Sequence, residues 1–187
     1  MEFLLVIIGI IVVLAFIIIG IYNRLVALRQ TCNQAWSDIE VQLKQRQDLV
    51  PQLVNTVKGY AKHEKETFNE VIAARNAAVS AGSVQGQAAA EGMLQQALGK
   101  LFALAEAYPD LKANENFLQL QDQLSDVENK IAASRRFYNN AVSEYNTGIE
   151  QFPAVLIAGP FNFVAREFFE APEGRTALQT PVEVDFS

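Results

Sequence analysis

The sequence predicts an all-α protein. A single N-terminal transmembrane helix continues into an antiparallel bundle of three to four long helices, followed by an extended, aromatic-rich tail. Three observations predict this. Phe3 to Ile21 is an unbroken run of 19 residues, apolar apart from two glycines. From Tyr22 onward, apolar side chains recur three and four apart, the period of a helix with one buried face. At Phe152-Pro153 the composition changes: the last 36 residues hold four of the six prolines and six of the twelve phenylalanines. The corresponding divisions are an anchor over 1–22, a helical domain over 23–152 and a tail over 153–187.

The anchor reading follows from length. A helix running from Phe3 through Leu14 to Ile21 spans roughly 28 Å, close to the ~30 Å hydrocarbon core of a bilayer. The competing reading, a cleaved signal peptide, wants a basic start, a shorter apolar stretch and small residues before the cut. Here Met1-Glu2 precedes the run and Arg24 follows it. Arg24 and Arg29 lie just past the apolar run, and the positive-inside rule then puts the following domain in the cytoplasm.

No proline or glycine interrupts Tyr22–Val50, so the anchor is expected to run straight into the domain. Leu25, Leu28, Cys32, Ala35, Trp36, Ile39 and Leu43 form its stripe. Pro51 lacks an amide proton and is expected to kink the helix near Asp48, with Gly59 a second weak point. The stripe resumes at Leu53, Val54, Val57 and Tyr60, then Phe68, Val71 and Ala78, until Ala81-Gly82-Ser83 ends it. Ser83 is a candidate N-cap for a helix over 84–107, whose one face carries Leu94, Leu98, Leu101, Ala105 and Tyr108. Tyr108-Pro109-Asp110 breaks that helix, and Asn114 offers the next cap. Phe117, Leu120, Leu124, Val127, Ile131, Ser134, Tyr138, Ala141 and Tyr145 then keep a strict 3.5-residue period, the signature of left-handed coiled-coil packing.

In the tail, Phe161, Phe163, Phe168 and Phe169 are too many aromatics for a free solvated segment. They are expected to pack on the bundle, on a neighbour's bundle or in the membrane interface. Val182, Val184 and Phe186 read as an extended segment docked on helices or on another subunit.

Composition narrows the chemistry. With 21 acidic against 15 basic groups the chain has a formal net charge of −6, which disfavours nucleic acid as a partner. The single Cys excludes a disulfide framework within the chain, and the single His excludes a site made of paired histidines. His63 lies in Lys62-His63-Glu64-Lys65-Glu66 and reads as part of a solvated helix face. Glu64 and Glu128 lack the Glu-x-x-His spacing of a carboxylate-bridged metal site. No phosphate loop, nucleophile elbow or dinucleotide fingerprint is present. Catalytic residues, cofactors and metals are therefore not expected.

Two polar groups remain. Arg135 and Arg136 precede Asn139, Asn140 and Asn146, while Trp36-Ser37-Asp38 and Lys44-x-Arg46-x-Asp48 lie on the first helix. They read as inter-helix ion pairs and hydrogen bonds that fix register. Their functional reading is a surface for a partner or for anionic lipid heads. Together with Phe161, Phe163, Phe168 and Phe169, the residues Trp36, Arg135 and Arg136 form the candidate interaction surface.

Tyr22-Asn23, Ala35-Trp36-Ser37-x-Ile39, Val41-Gln42-Leu43-Lys44-x-Arg46-x-Asp48-Leu49-Val50-Pro51 and Thr56-Val57-Lys58-Gly59-Tyr60-Ala61-x-His63-Glu64 resemble the LemA family. So do Phe102-Ala103-Leu104-Ala105-Glu106-Ala107-Tyr108-Pro109-Asp110-Leu111-Lys112-Ala113-Asn114, Glu128-Asn129-Lys130-Ile131-Ala132, Arg135-Arg136-Phe137-Tyr138-Asn139, Tyr145-Asn146-Thr147 and Phe168-Phe169-Glu170-Ala171. The likeness covers nearly the whole chain, anchor included. It implies a bacterial inner-membrane protein with a short extracytoplasmic N-terminus, a cytoplasmic helical domain, and no enzymatic residue or cofactor to carry over. Some family members are associated with magnetosome membrane formation, and others are encoded beside membrane metallopeptidases. The expectation is a non-enzymatic homo-oligomeric scaffold whose partner is membrane lipid. The alternative is a docking subunit for a membrane protease or envelope-stress signalling partner.

Overall fold

The computed structural model describes residues 1–170, and the expected extended segment at Val182, Val184 and Phe186 lies outside them. Six α-helices and no strand occur among the described residues: α1 Glu2–Tyr60, α2 Lys65–Ser80, α3 Val84–Ala105, α4 Pro109–Lys112, α5 Glu115–Glu150 and α6 Val155–Ala158. The anchor and the first domain helix are one element. α1 passes from the apolar run through Gly20 and Tyr22 without interruption.

Pro51 does not end α1. A proline inside a helix frees the carbonyl four residues earlier, which here is that of Gln47. Arg75 on α2 donates its Nε–H to the Gln47 oxygen at 3.3 Å, so the freed acceptor is partnered. The apolar stripe runs on to Ala78, but the helix breaks before that. α1 stops at Tyr60, directly after Gly59, and α2 begins at Lys65. Ala61 turns into the core at 1% exposure, while His63 is exposed in the turn. The stripe survives the break because Val57, Ala61, Phe68 and Val71 all face one core.

The expected caps form. Ser83 accepts the Gly86 amide at 3.0 Å to start α3, and Asn114 accepts the Phe117 amide at 3.0 Å to start α5. Pro109 occupies the first turn of α4, where its missing N–H costs nothing.

The chain divides into two compact units. The first joins Met1–Asp38 to Arg136–Glu167. Its interior holds Leu25, Cys32 and Ala35 of α1 against Tyr138, Ala141, Val142, Tyr145 and Ile149 of α5. Gly148 lets the two backbones approach: a Cβ there would stand 2.9 Å from Leu28 Cδ1. The second unit comprises Ile39–Arg135 and the described residues from Phe168 onward. Val50, Leu53, Val54 and Val57 of α1, Phe68 and Val71 of α2, Leu94, Leu98 and Leu101 of α3, Leu111 of α4, and Phe117 and Leu124 of α5 share one core.

This core sets a stability expectation. Leu94 is fully buried while Leu118 on α5 is 45% exposed. Leu94→Ala is expected to cost about 2–5 kcal/mol through lost burial and the cavity left behind. Leu118→Ala is expected to change stability by less than about 1 kcal/mol. Chemical denaturation of the two variants, followed by circular dichroism, checks the contrast.

Candidate functional site

The second unit contains a buried ionic centre. Arg46 continues the spacing Ile39, Leu43, Arg46, Val50 and so falls on the core stripe of α1, where it is 2% exposed. Its guanidinium pairs with Glu91 of α3 through Nη2, and with Glu128 of α5 through Nη1 at 2.5 Å. Glu91, 5% exposed, is drawn into the interior at the spacing Ala88, Glu91, Leu94, Leu98. Its Oε1 also accepts from Gln47 at 3.0 Å and from Gln87 at 2.7 Å. The Gln87 amide in turn donates to the Ala78 carbonyl in the last turn of α2, at 3.0 Å. One guanidinium thus ties three helices, and Gln87 links a fourth.

A cavity of about 230 Å³ adjoins this centre, lined by Arg46, Glu91, Gln95, Glu128, Asn129 and Arg135 among others. Two cations face two carboxylates there, so the charges balance. The carboxylates are held as ion-pair acceptors, an arrangement that fixes helix register. Among the described residues no group of three or more His, Cys, Asp or Glu side chains is arranged to hold a metal ion. Lys44 and Asp48, which flank Arg46 in sequence, instead pair with each other on the solvent face.

The first unit carries a second polar device, which fastens the tail. Asn146 of α5 donates to the Arg166 carbonyl at 2.9 Å and accepts the Arg166 amide at 2.8 Å. The Tyr138 hydroxyl donates to the Glu167 carbonyl at 3.0 Å. The Arg166 guanidinium reaches Asn33 of α1 at 2.6 Å. Two side chains of α5 therefore hold consecutive backbone units of the tail, and the tail's own arginine returns to α1. Trp36 packs on Tyr138 with ring centroids 5.4 Å apart.

The expected surface residues separate accordingly. Phe163 is buried, its ring against Tyr22 at 5.6 Å and under the Arg29 guanidinium at 4.9 Å. Phe161 rests on Tyr22 at 5.2 Å but stays half exposed. Within the second unit Phe169 is buried, Phe168 is on the border of exposure, and Arg135 lines the cavity. Arg136, in the first unit, faces solvent. Trp36 is half-buried in its contact with Tyr138. Along the anchor, Phe3 and Leu14 are exposed and Ile21 is half-buried.

Three titratable groups are shifted in the first unit. Burial pushes the Cys32 thiol above its usual range, partly offset by Arg166. Burial likewise raises the Tyr138 and Tyr145 phenols, with Arg166 opposing at Tyr138 and Arg29 and Arg166 opposing at Tyr145. For each, the folded state holds its proton more tightly than the unfolded chain. Their contribution to stability is therefore intact at neutral pH and lost as pH climbs through the raised folded values.

Two expectations follow from these arrangements. Arg46→Ala leaves Glu91 charged and buried without its partner and is expected to cost about 3–5 kcal/mol, whereas Arg46→Leu with Glu91→Leu recovers most of that loss; denaturation of the single and double variants measures it. Stability against pH should be flat around neutrality and decline above about pH 9, the unshifted thiol value being 9.0 and the unshifted phenol value 10.0. Cys32→Ala should delay the onset of that decline in melting temperature.

Comparison with known proteins places the sequence. The LemA family model matches residues 35–186. Magnetosome protein MamQ 2 of Paramagnetospirillum magneticum is 28% identical over 206 residues, covering 95% of this chain and 76% of that protein. Magnetosome protein MamQ of Magnetospirillum gryphiswaldense is 27% identical over 187 residues, covering 86% and 69%. Protein LemA of Metamycoplasma hominis is 27% identical over 160 residues, covering 84% and 73%. With its exposed apolar helix of bilayer length, this chain is a membrane-associated protein, and it belongs to the LemA family.

Proposed function

We propose that the protein is a non-enzymatic, single-pass scaffold of the bacterial inner membrane, with its N-terminus outside and its helical domain in the cytoplasm, which self-associates to organise or shape the bilayer. The observation that carries this reading is the continuity of α1 from Glu2 through Gly20 and Tyr22 to the turns packed on α5 within the first unit. A helix without a joint at the lipid boundary transmits orientation: what the first unit grips is imposed on the span. Many copies gripping one another would impose a common tilt on the surrounding lipid. Kinship with proteins named as magnetosome proteins supports a part in membrane organisation. Arg24 and Arg29, just past the run, support the cytoplasmic side for the domain. The buried ionic centre supports a structural role, since its carboxylates are already committed to Arg46.

The full chain in nanodiscs and in detergent, sized by electron microscopy and mass photometry, is expected to form discrete assemblies that grow with protein concentration. A uniform monomer at every concentration contradicts the scaffold. Crosslinking in cells adds the second arm. Predominant self-crosslinks support the scaffold, and one dominant foreign band replaces it with the docking-subunit reading.

A further inference from the structure

We propose that residues 152–164, centred on α6, make a second membrane contact: a short apolar element lying in the headgroup–acyl boundary of the bilayer that α1 crosses. The proposal rests on reading α1 as the membrane span.

Residues 151–165 contain no charged side chain, a run bounded by Glu150 and Arg166. Within it the burial pattern is reversed from that of a helix on a soluble surface. Ala154, Ala158 and Phe163 are buried, while Phe152 is 80%, Leu156 65% and Val164 66% exposed, with Val155 and Phe161 near half. Ala154 and Ala158 face the protein together with Phe163, while Phe152, Val155, Leu156, Phe161 and Val164 face out. A water-facing helix turns its polar side outward, so this face is matched to an apolar medium.

The position of the segment identifies that medium. Phe161 and Phe163 both set their rings on Tyr22, the residue that follows the apolar run. Residues 1–20 are exposed throughout, whereas Ile21 and Tyr22 are half-buried. The segment is therefore seated on the last turn of the span. A run of 19 residues covers roughly 28 Å of a ~30 Å hydrocarbon core, which brings Tyr22 to the boundary, the depth that tyrosines favour. Asn162, with φ of 56°, turns the chain between the two phenylalanines that grip Tyr22. Arg29 over Phe163 and the exposed Arg24 put cations on the neighbouring turns, at the level of lipid phosphates. Apolar side chains with flanking cations beside a span form the pattern of an interfacial lipid contact. A protein partner would be met by a face with no charge to specify it.

The test uses spin labels on the full chain in nanodiscs. Leu156→Cys, Val155→Cys, Phe16→Cys and Val79→Cys are labelled one at a time, with the unsubstituted chain as background for buried Cys32. Collision with oxygen, which partitions into lipid, is compared with collision with a water-soluble nickel complex. Labels at 155 and 156 are expected to meet oxygen more than nickel, at a shallower depth than the label at 16, while the label at 79 meets nickel. A nickel-accessible label at both 155 and 156 overturns the proposal. Immobilised labels that neither reagent reaches overturn it in favour of a second copy or another protein. If the label at 16 also meets nickel, the span itself fails and both readings fall, an outcome distinct from failure of the interfacial contact alone.

Discussion

A hydrophobic helix that leaves a bilayer meets water within a turn, and its stripe of apolar side chains must be covered from there on. In this protein α1 leaves the run without a break, so the cover has to begin at Ile21 and Tyr22. It is supplied from the far end of the chain. The last turns of α5 approach Leu25 and Leu28 through Gly148, and the segment beyond them places Phe161 and Phe163 on Tyr22. Sequence positions more than a hundred residues apart are thereby fixed beside the end of the apolar run. The hydrogen bonds from Asn146 and Tyr138 to the tail backbone are what keep that cover in place. They satisfy backbone polar groups of Arg166 and Glu167, which lie outside any helix, where each unpaired group would cost about 1–3 kcal/mol.

The second unit answers a different problem. Its helices present mostly small and aliphatic side chains, which pack acceptably in more than one register. A single guanidinium on the stripe removes that freedom, because Arg46 meets both of its carboxylate partners only where Glu91 and Glu128 come together. Such a pair adds little net stability over an apolar pair of similar volume, yet breaking it is expensive. Its value here is specificity of packing. The anchor unit needs a defined cover and the other unit a defined register, and both serve a protein whose proposed work is to hold geometry.

Most of the helical elements were legible in the sequence because their signals are local. The apolar run, the three-and-four spacing, the Ser83 and Asn114 caps and the break at Tyr108-Pro109 each act within a few residues. The end of α1 was less so. The stripe passes through the turn at Ala61–Glu64 undisturbed, since both flanking helices face the same core, and only Gly59 marks the place. Pro51 was readable as a helix defect, but its compensation depends on Arg75, 28 residues from the freed Gln47 carbonyl. The ionic centre was readable only as a polar group suited to register-fixing ion pairs, without its partners Glu91 and Glu128, for a related reason. Arg46 sits between Lys44 and Asp48 and shares their polarity, so the three read as one charged group. The spacing Ile39, Leu43, Arg46, Val50 was the available signal that one of them points inward. Glu91 offered the same signal at Ala88, Glu91, Leu94. For the tail, the aromatic excess showed that the phenylalanines need cover, but which of them is buried depends on Tyr22, Arg29 and Asn146, residues remote in sequence.

The unbroken helix at the lipid boundary is the central claim, and backbone hydrogen exchange measures it directly. With the full chain in nanodiscs, amides from Ile21 to Arg29 are expected to exchange as slowly as those of buried helical turns such as Leu94–Leu101. Exchange of these boundary amides on the timescale of an open chain, with α3 still protected, would reveal a hinge where the account requires continuity.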